Sequence, residues 1–188
     1  YPESSHHEEG PGQNEIDFRY SDPLTAADNA MTFQTVVKTI ARRNGLFADF
    51  TPKPLKDHPG NGFHINVSVN ASDKEDHMDQ IIAGILFFNP TENSYQRFGT
   101  NKAPLYISWS DENRSQLVRI PAAVEKYRRM ELRSPDPTTN AYLAFALIIY
   151  ACMEGMQKEL TPPPATNINF YHADSDTLKK YPKLPETF

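Results

Sequence analysis

The 188-residue sequence has one cysteine, Cys152, one tryptophan, Trp109, and few glycines. A lone cysteine closes no internal disulfide, so a disulfide-stapled secreted scaffold is excluded. Cys152 lies in an apolar, helix-like run and is expected to be a small core residue rather than a nucleophile. No run of about 18 apolar residues is present to cross a bilayer as a helix, and no apolar leader opens the sequence. A reducing, cytoplasmic setting with no membrane partner is therefore expected. Basic residues are not in excess: the formal net charge is −5, so no global positive field draws the protein onto nucleic acid. The GxxxxGK[ST] phosphate loop is missing, as are internal repeats and low-complexity tracts.

What is present describes a folded chain. Apolar residues make up 38%, and 188 residues suffice for one well-buried domain. The sequence starts at Tyr1, on what already reads as a strand, and is expected to be a piece of a longer protein. Two polar segments, 2–9 and 13–20, flank Gly10-Pro11-Gly12, which predicts a hairpin. Asp22 or Thr25 can cap a helix running to about Arg43, where Asn44-Gly45 supplies the stop. "FHINVSV", 63–69, alternates apolar and polar residues as a strand does. A polar loop leads to a short helix over 77–88, ended by Asn89-Pro90. "LYISW", "QLVRI" and the stretch around Glu131 read as strands, a long helix follows over 139–160, and a single turn is expected near Asp176. The order predicts one α+β domain, a largely antiparallel sheet with flanking helices.

"RMELRSPDP", 129–137, sets Arg129, Glu131 and Arg133 on one strand face and Met130 and Leu132 on the other. His64, Asn66 and Ser68 share a face of another strand, while Glu8 and Glu15 lie on opposite arms of the hairpin. Were these faces part of one sheet, three carboxylates and an imidazole would converge, which costs free energy unless a cation neutralises them. Oxygen-rich ligation with one histidine suits Mg²⁺ or Mn²⁺. Arg97, Arg114, Arg119, Arg129 and Arg133 add planar forks suited to carboxylate or phosphate. Metals with several arginines are what phosphoryl transfer requires. The residues alone leave a plainer alternative open, in which these are solvated charges in surface pairs; His6 and His7 read as surface residues.

Taken in order, "ESSHHEEGPGQNEIDFRY", "GNGFHINVS", "NPTENSYQRF", "APLYISWSDENRSQLVRIP" and "RMELRSPDPTTNAYLAFA" resemble the catalytic domain of bacterial glutamine synthetase. The resemblance implies ATP-dependent ligation of ammonia to glutamate through a γ-glutamyl phosphate, with two divalent metals, Mg²⁺ or Mn²⁺. Glu8 and Glu15 match ligands of one metal, and His64 and Glu131 ligands of the other. Gly60, Arg97 and Arg133 match glutamate-binding positions; Arg97, Arg114 and Arg119 match catalytic ones. Glu3, Ser68, Arg114, Arg119 and Arg129 match positions facing ATP. The family's homo-oligomeric ring, a dodecamer in the intact protein, is the expected assembly. Tyr171 lies in a segment resembling a loop that some relatives adenylylate, and is expected to be an unmodified loop aromatic.

Departures from the pattern bear on specificity. Pro59 replaces an asparagine and Asn66 a histidine. In "FGTNKAP", Lys102 stands nearest the place of a flap glutamate, and the loop is one residue shorter; the 84–90 segment is also short. The small N-terminal domain and a strand bearing two further metal-binding glutamates have no counterpart, so the 188-residue chain is expected to be inactive alone. Two alternatives stay open: a γ-glutamyl ligase using another amine, and a non-catalytic relative.

Overall fold

The computed structural model describes residues 2–69, 76–86, 93–100, 102–123 and 128–185. The Asn89-Pro90 stop, most of the polar loop before it and the short 84–90 segment's second half lie outside these residues.

Strands β1 (Pro2–His7) and β2 (Asn14–Phe18) form an antiparallel two-stranded sheet with His6 opposite Glu15. Gly12, at φ +68°, takes the left-handed turn position that a side chain disfavours. Helix α1 (Pro23–Arg43) starts as the sequence dictates: Asp22 Oδ1 accepts from Thr25 N–H, and Pro23 occupies the first turn. It stops at Asn44 and Gly45, whose φ is +71°. Ala27 and Ala30 are its buried positions, packed with Ala141 near Phe63 and Phe145.

Strands β3 (Ile65–Val67), β4 (Trp109–Ser110), β5 (Val118–Arg119) and β6 (Met130–Leu132) form a second sheet in the order β3-β6-β5-β4. Three facts separate it from expectation. The strands are shorter than the alternating sequence suggests, the β4–β5 pair is parallel, and among the described residues the hairpin is a sheet of its own. The antiparallel pairs β3–β6 and β5–β6 put Asn66 and Arg119 on either side of Glu131.

Behind this sheet lies the core. Helix α2 (Met78–Ile85) is apolar and buried, helix α3 (Ala141–Gln157) crosses it, and the short helix α4 (Ser175–Leu178) follows. The α2–α3 crossing is close enough that a Cβ on Gly84 would lie 2.0 Å from the Ala151 carbonyl oxygen, and one on Gly155 would lie 2.0 Å from that of Gln80. Cys152 is buried in this core, and burial raises its thiol to about 11, so it is inert as a nucleophile. Ile82, Ile85, Leu117, Val118, Met130 and Leu132 are fully buried, each aliphatic side chain contributing about 1.5–3 kcal/mol. Met130 and Leu132 fill the core side of β6, which leaves Glu131 on the other face.

Candidate functional site

Glu131 is 7% exposed, so its charge must be answered locally. Arg133 Nη1 donates to Oε1 at 2.9 Å, and His64 Nδ1 lies 3.2 Å from the same oxygen. Arg119 Nε stands 2.9 Å from Oε2 without the alignment for a hydrogen bond. Burial alone would raise the Glu131 carboxyl, but the His64 contact, Arg133 and Arg119 outweigh it and hold it at about 2. His64 moves the other way: burial lowers it to about 4, so it is the neutral imidazole that a metal requires.

Several buried polar atoms here have no hydrogen-bond partner: His64 Nε2, Arg97 Nε and Arg133 Nε. Gly62 keeps the space beside two of these side chains open, since a Cβ there would sit 2.5 Å from His64 Nε2 and 2.9 Å from Arg97 Nη2. Unpaired buried donors and acceptors are costly, and their concentration at one place fits a site completed by a ligand or cation. A neutral imidazole nitrogen beside a charged carboxylate is a donor set suited to a divalent metal.

Arg97 is 3% exposed, and its Nη1 donates to the carbonyls of Arg133 at 3.0 Å and Ser134 at 3.1 Å. Burial, then the neighbouring Arg133, lowers its guanidinium to about 10. Arg133 Nη2 donates to the Lys102 carbonyl at 3.1 Å, which ties Lys102 to the residue that follows β6. Lys102 itself adopts φ 67°, rare for a residue with a side chain, and its Nζ pairs with Glu9 on the hairpin. Gly60 packs tightly, because a Cβ there would lie 2.3 Å from the Pro52 carbonyl oxygen.

A second group forms on the hairpin. Glu8 and Glu15 come together as expected, but His6 joins them, 3.3 Å from Glu8 Oε1 and 3.6 Å from Glu15 Oε2. One ligand atom from each residue falls within 4.8 Å of the others. Burial, then Asp17 and Glu8, raises the Glu15 carboxyl, as carboxylates held together must. His6 is exposed, as its reading as a surface residue has it, yet it also stands beside both carboxylates. The signal was available, since His6 is two residues before Glu8 and pairs with Glu15 across the hairpin.

The remaining positions are more dispersed. Arg129 Nε donates to Asn66 Oδ1 at 3.1 Å, so the asparagine at 66 holds an arginine fork from the adjacent strand. Arg114 is exposed on a turn, and its carbonyl accepts from Tyr171 Oη at 3.5 Å. Burial raises the Tyr171 hydroxyl to about 12. Glu3 and Ser68 are exposed, one on β1 and the other just beyond β3.

Fold and site together define an α+β domain with two histidine–carboxylate groups and arginines around the buried one. Residues 1–188 match the family described as glutamine synthetase, catalytic domain, and the chain belongs to that family. It is 43% identical over 190 residues to a glutamine synthetase of Clostridium saccharobutylicum, covering 90% of this chain and 43% of that protein. It is 44% identical over 191 residues to one from Methanosarcina mazei, again covering 90% of this chain and 43% of the relative. The chain thus spans less than half the length of these relatives. Among solved structures, it resembles a GmaS/ADP complex with a TM-score of 0.85 and 30% identity, covering 99% of this chain and 48% of that one. A glutamine synthetase of Plasmodium falciparum gives a TM-score of 0.78 at 28% identity, covering 86% of this chain and 36% of that one. No helix among the described residues is long and apolar enough to cross a membrane.

Proposed function

We propose that residues 1–188 form a single catalytic-domain stretch of an ATP-dependent glutamate–ammonia ligase. The observation that carries this reading is Glu131, buried between His64, Arg119 and Arg133 and near the unpaired nitrogens of His64, Arg97 and Arg133. His64 and Glu131 would hold one divalent cation and Glu8 and Glu15 another, with His6 beside the second. Mg²⁺ and Mn²⁺ both accept oxygen ligands, and the imidazoles favour Mn²⁺. Bound cations neutralise charge on the phosphoryl oxygens.

The chain's own residues supply orientation and charge. Arg114, Arg119 and Arg129 face the nucleotide phosphates, with Glu3 and Ser68 lining the nucleotide pocket; similarity to an ADP complex supports an adenine nucleotide there. Arg97, Arg133 and Gly60 form the glutamate subsite. A γ-carboxylate oxygen of glutamate bonds to the γ-phosphorus of ATP as the bond to ADP breaks. Ammonia then bonds to the acyl carbon, phosphate leaves, and the nitrogen loses a proton. Arginine forks stabilise the charge that grows on the transferring oxygens. The assembly is a homo-oligomeric ring in the cytoplasm, as in a dodecamer.

Calorimetric titration of ADP with Mn²⁺ into the chain tests the nucleotide side. Arg119→Ala is expected to weaken binding at least tenfold; equal affinity in both proteins removes Arg119 from the phosphate site. A second reading, ligation of another amine, is favoured by Lys102, whose ammonium meets Glu9 at the rim. Comparing ammonia with several primary amines, in a protein carrying this domain together with the rest of the site, separates the two readings.

A further inference from the structure

Two histidine–carboxylate groups on separate sheets can act on one substrate only if something fixes one sheet against the other. The base of the hairpin is held by Phe18, whose ring meets Phe33 of α1 edge-on at 5.3 Å. Its tip, next to Glu8, needs a separate anchor. The exposed Lys102–Glu9 pair is one contact, but such pairs are weak and screened by salt. The Gln13 carboxamide is a second. Its Nε2 donates to Gly60 O at 3.1 Å and to Asn61 Oδ1 at 2.8 Å, and its Oε1 accepts from Gly10 N–H at 3.1 Å.

The surroundings are built around that amide. Asn61 is itself pinned, its Nδ2 donating to the carbonyls of Asp49 at 3.2 Å and Thr51 at 2.9 Å. Gly10 leaves room, since a Cβ there would lie 2.9 Å from Gln13 Oε1. The turn also closes on the Gln13 backbone: Gln13 N–H donates to Gly10 O at 2.9 Å, and Glu8 N–H donates to Gln13 O at 3.0 Å. Only a carboxamide meets two acceptors and one donor at once. Leucine leaves all three unpaired, and a glutamate carboxylate sets oxygens against oxygens.

We propose that Gln13 is a positioning residue whose carboxamide clamps the hairpin tip to the Gly60-Asn61 turn and so fixes His6, Glu8 and Glu15 relative to His64. Its catalytic meaning rests on the metal reading above; the clamp itself does not. The test is a pulsed-EPR distance measurement between nitroxides at Asn14→Cys and Glu154→Cys, in a Cys152→Ala background, on the 188-residue chain. With Gln13 present the distribution is expected to be narrow. Gln13→Leu and Gln13→Glu should each at least double its width while the main thermal transition stays in place. An unchanged width in both variants, or a distribution already broad with Gln13 present, overturns the proposal. Mn²⁺ titration of the same samples separates the two ideas. A broadened hairpin in a protein that binds no Mn²⁺ keeps the clamp and sinks the metal reading, whereas Mn²⁺ binding with unchanged width does the reverse.

Discussion

On the hairpin, Glu8 and Glu15 face each other, and among the described residues their ion-pair partner is His6; on the main sheet, Glu131 is enclosed by Arg119, Arg133 and His64. The residue types are alike, but burial and the neighbouring carboxylates raise the Glu15 carboxyl, while the His64 hydrogen bond, Arg133 and Arg119 hold Glu131 at about 2. On the proposed metal reading, a half-site of the first kind is destabilising until a cation arrives. One of the second kind is already compensated, so a metal there must displace or share the arginine contacts. The 188-residue chain should therefore depend on Glu131 for its fold and on Glu8 and Glu15 for its first bound metal.

The largest effect that could break this comparison is on stability. Glu131→Ala leaves the buried Arg133 and the half-buried Arg119 without their counter-charge and His64 without its carboxylate partner, and the loss should be about 3–5 kcal/mol. Glu15→Gln, without metal, should match wild type or slightly exceed it. Urea unfolding of both variants in chelator checks the contrast, and equal losses would erase it.

Acid should discriminate next. The folded His64 titrates at about 4, below its ordinary 6.5, so the unfolded chain binds the proton first and stability falls as pH drops through that window. Glu131, at about 2 against an ordinary 4.5, extends the fall below pH 4.5. On the order of 2–3 kcal/mol should be lost between pH 7 and pH 4 in chelator, seen as a lower urea midpoint. A flat profile would mean that His64 is not held neutral by burial.

The smallest effect expected is at the rim. Lys102→Ala removes an exposed pair and should cost about 0.2–1 kcal/mol, a difference that 1 M salt abolishes. Persistence of the full difference in salt would show that the φ 67° loop, rather than the charge, sets the cost.

Local chemistry made much of this legible in the sequence. The Asp22 cap, the Asn44-Gly45 stop and the Gly10-Pro11-Gly12 turn act within a few residues, and each lies where its chemistry says. The strict alternation of 129–133 likewise separated Glu131 from Met130 and Leu132. Strand lengths and the division into two sheets were not legible, because pairing depends on partners far along the chain. Only Ile65–Val67 of the alternating 63–69 segment pairs as a strand, with β6. The same holds for side chains whose role is set by long-range packing. Arg97 reads as a substrate fork in sequence, and no local pattern shows that its Nη1 also donates to the carbonyls of Arg133 and Ser134.

The central claim, that one half-site awaits a cation while the other is already compensated, is tested most directly by titrating Mn²⁺ into metal-free protein. Free Mn²⁺ is followed by EPR, with the unfolding midpoint recorded at each concentration. Wild type should take up Mn²⁺ first at the hairpin, gaining about 1.4 kcal/mol when free Mn²⁺ is tenfold above its dissociation constant. Glu15→Gln should abolish most of that gain, and Asn66→Ala, placed beside the compensated half-site, should keep it. Full Mn²⁺ affinity and stabilisation in Glu15→Gln would contradict the account.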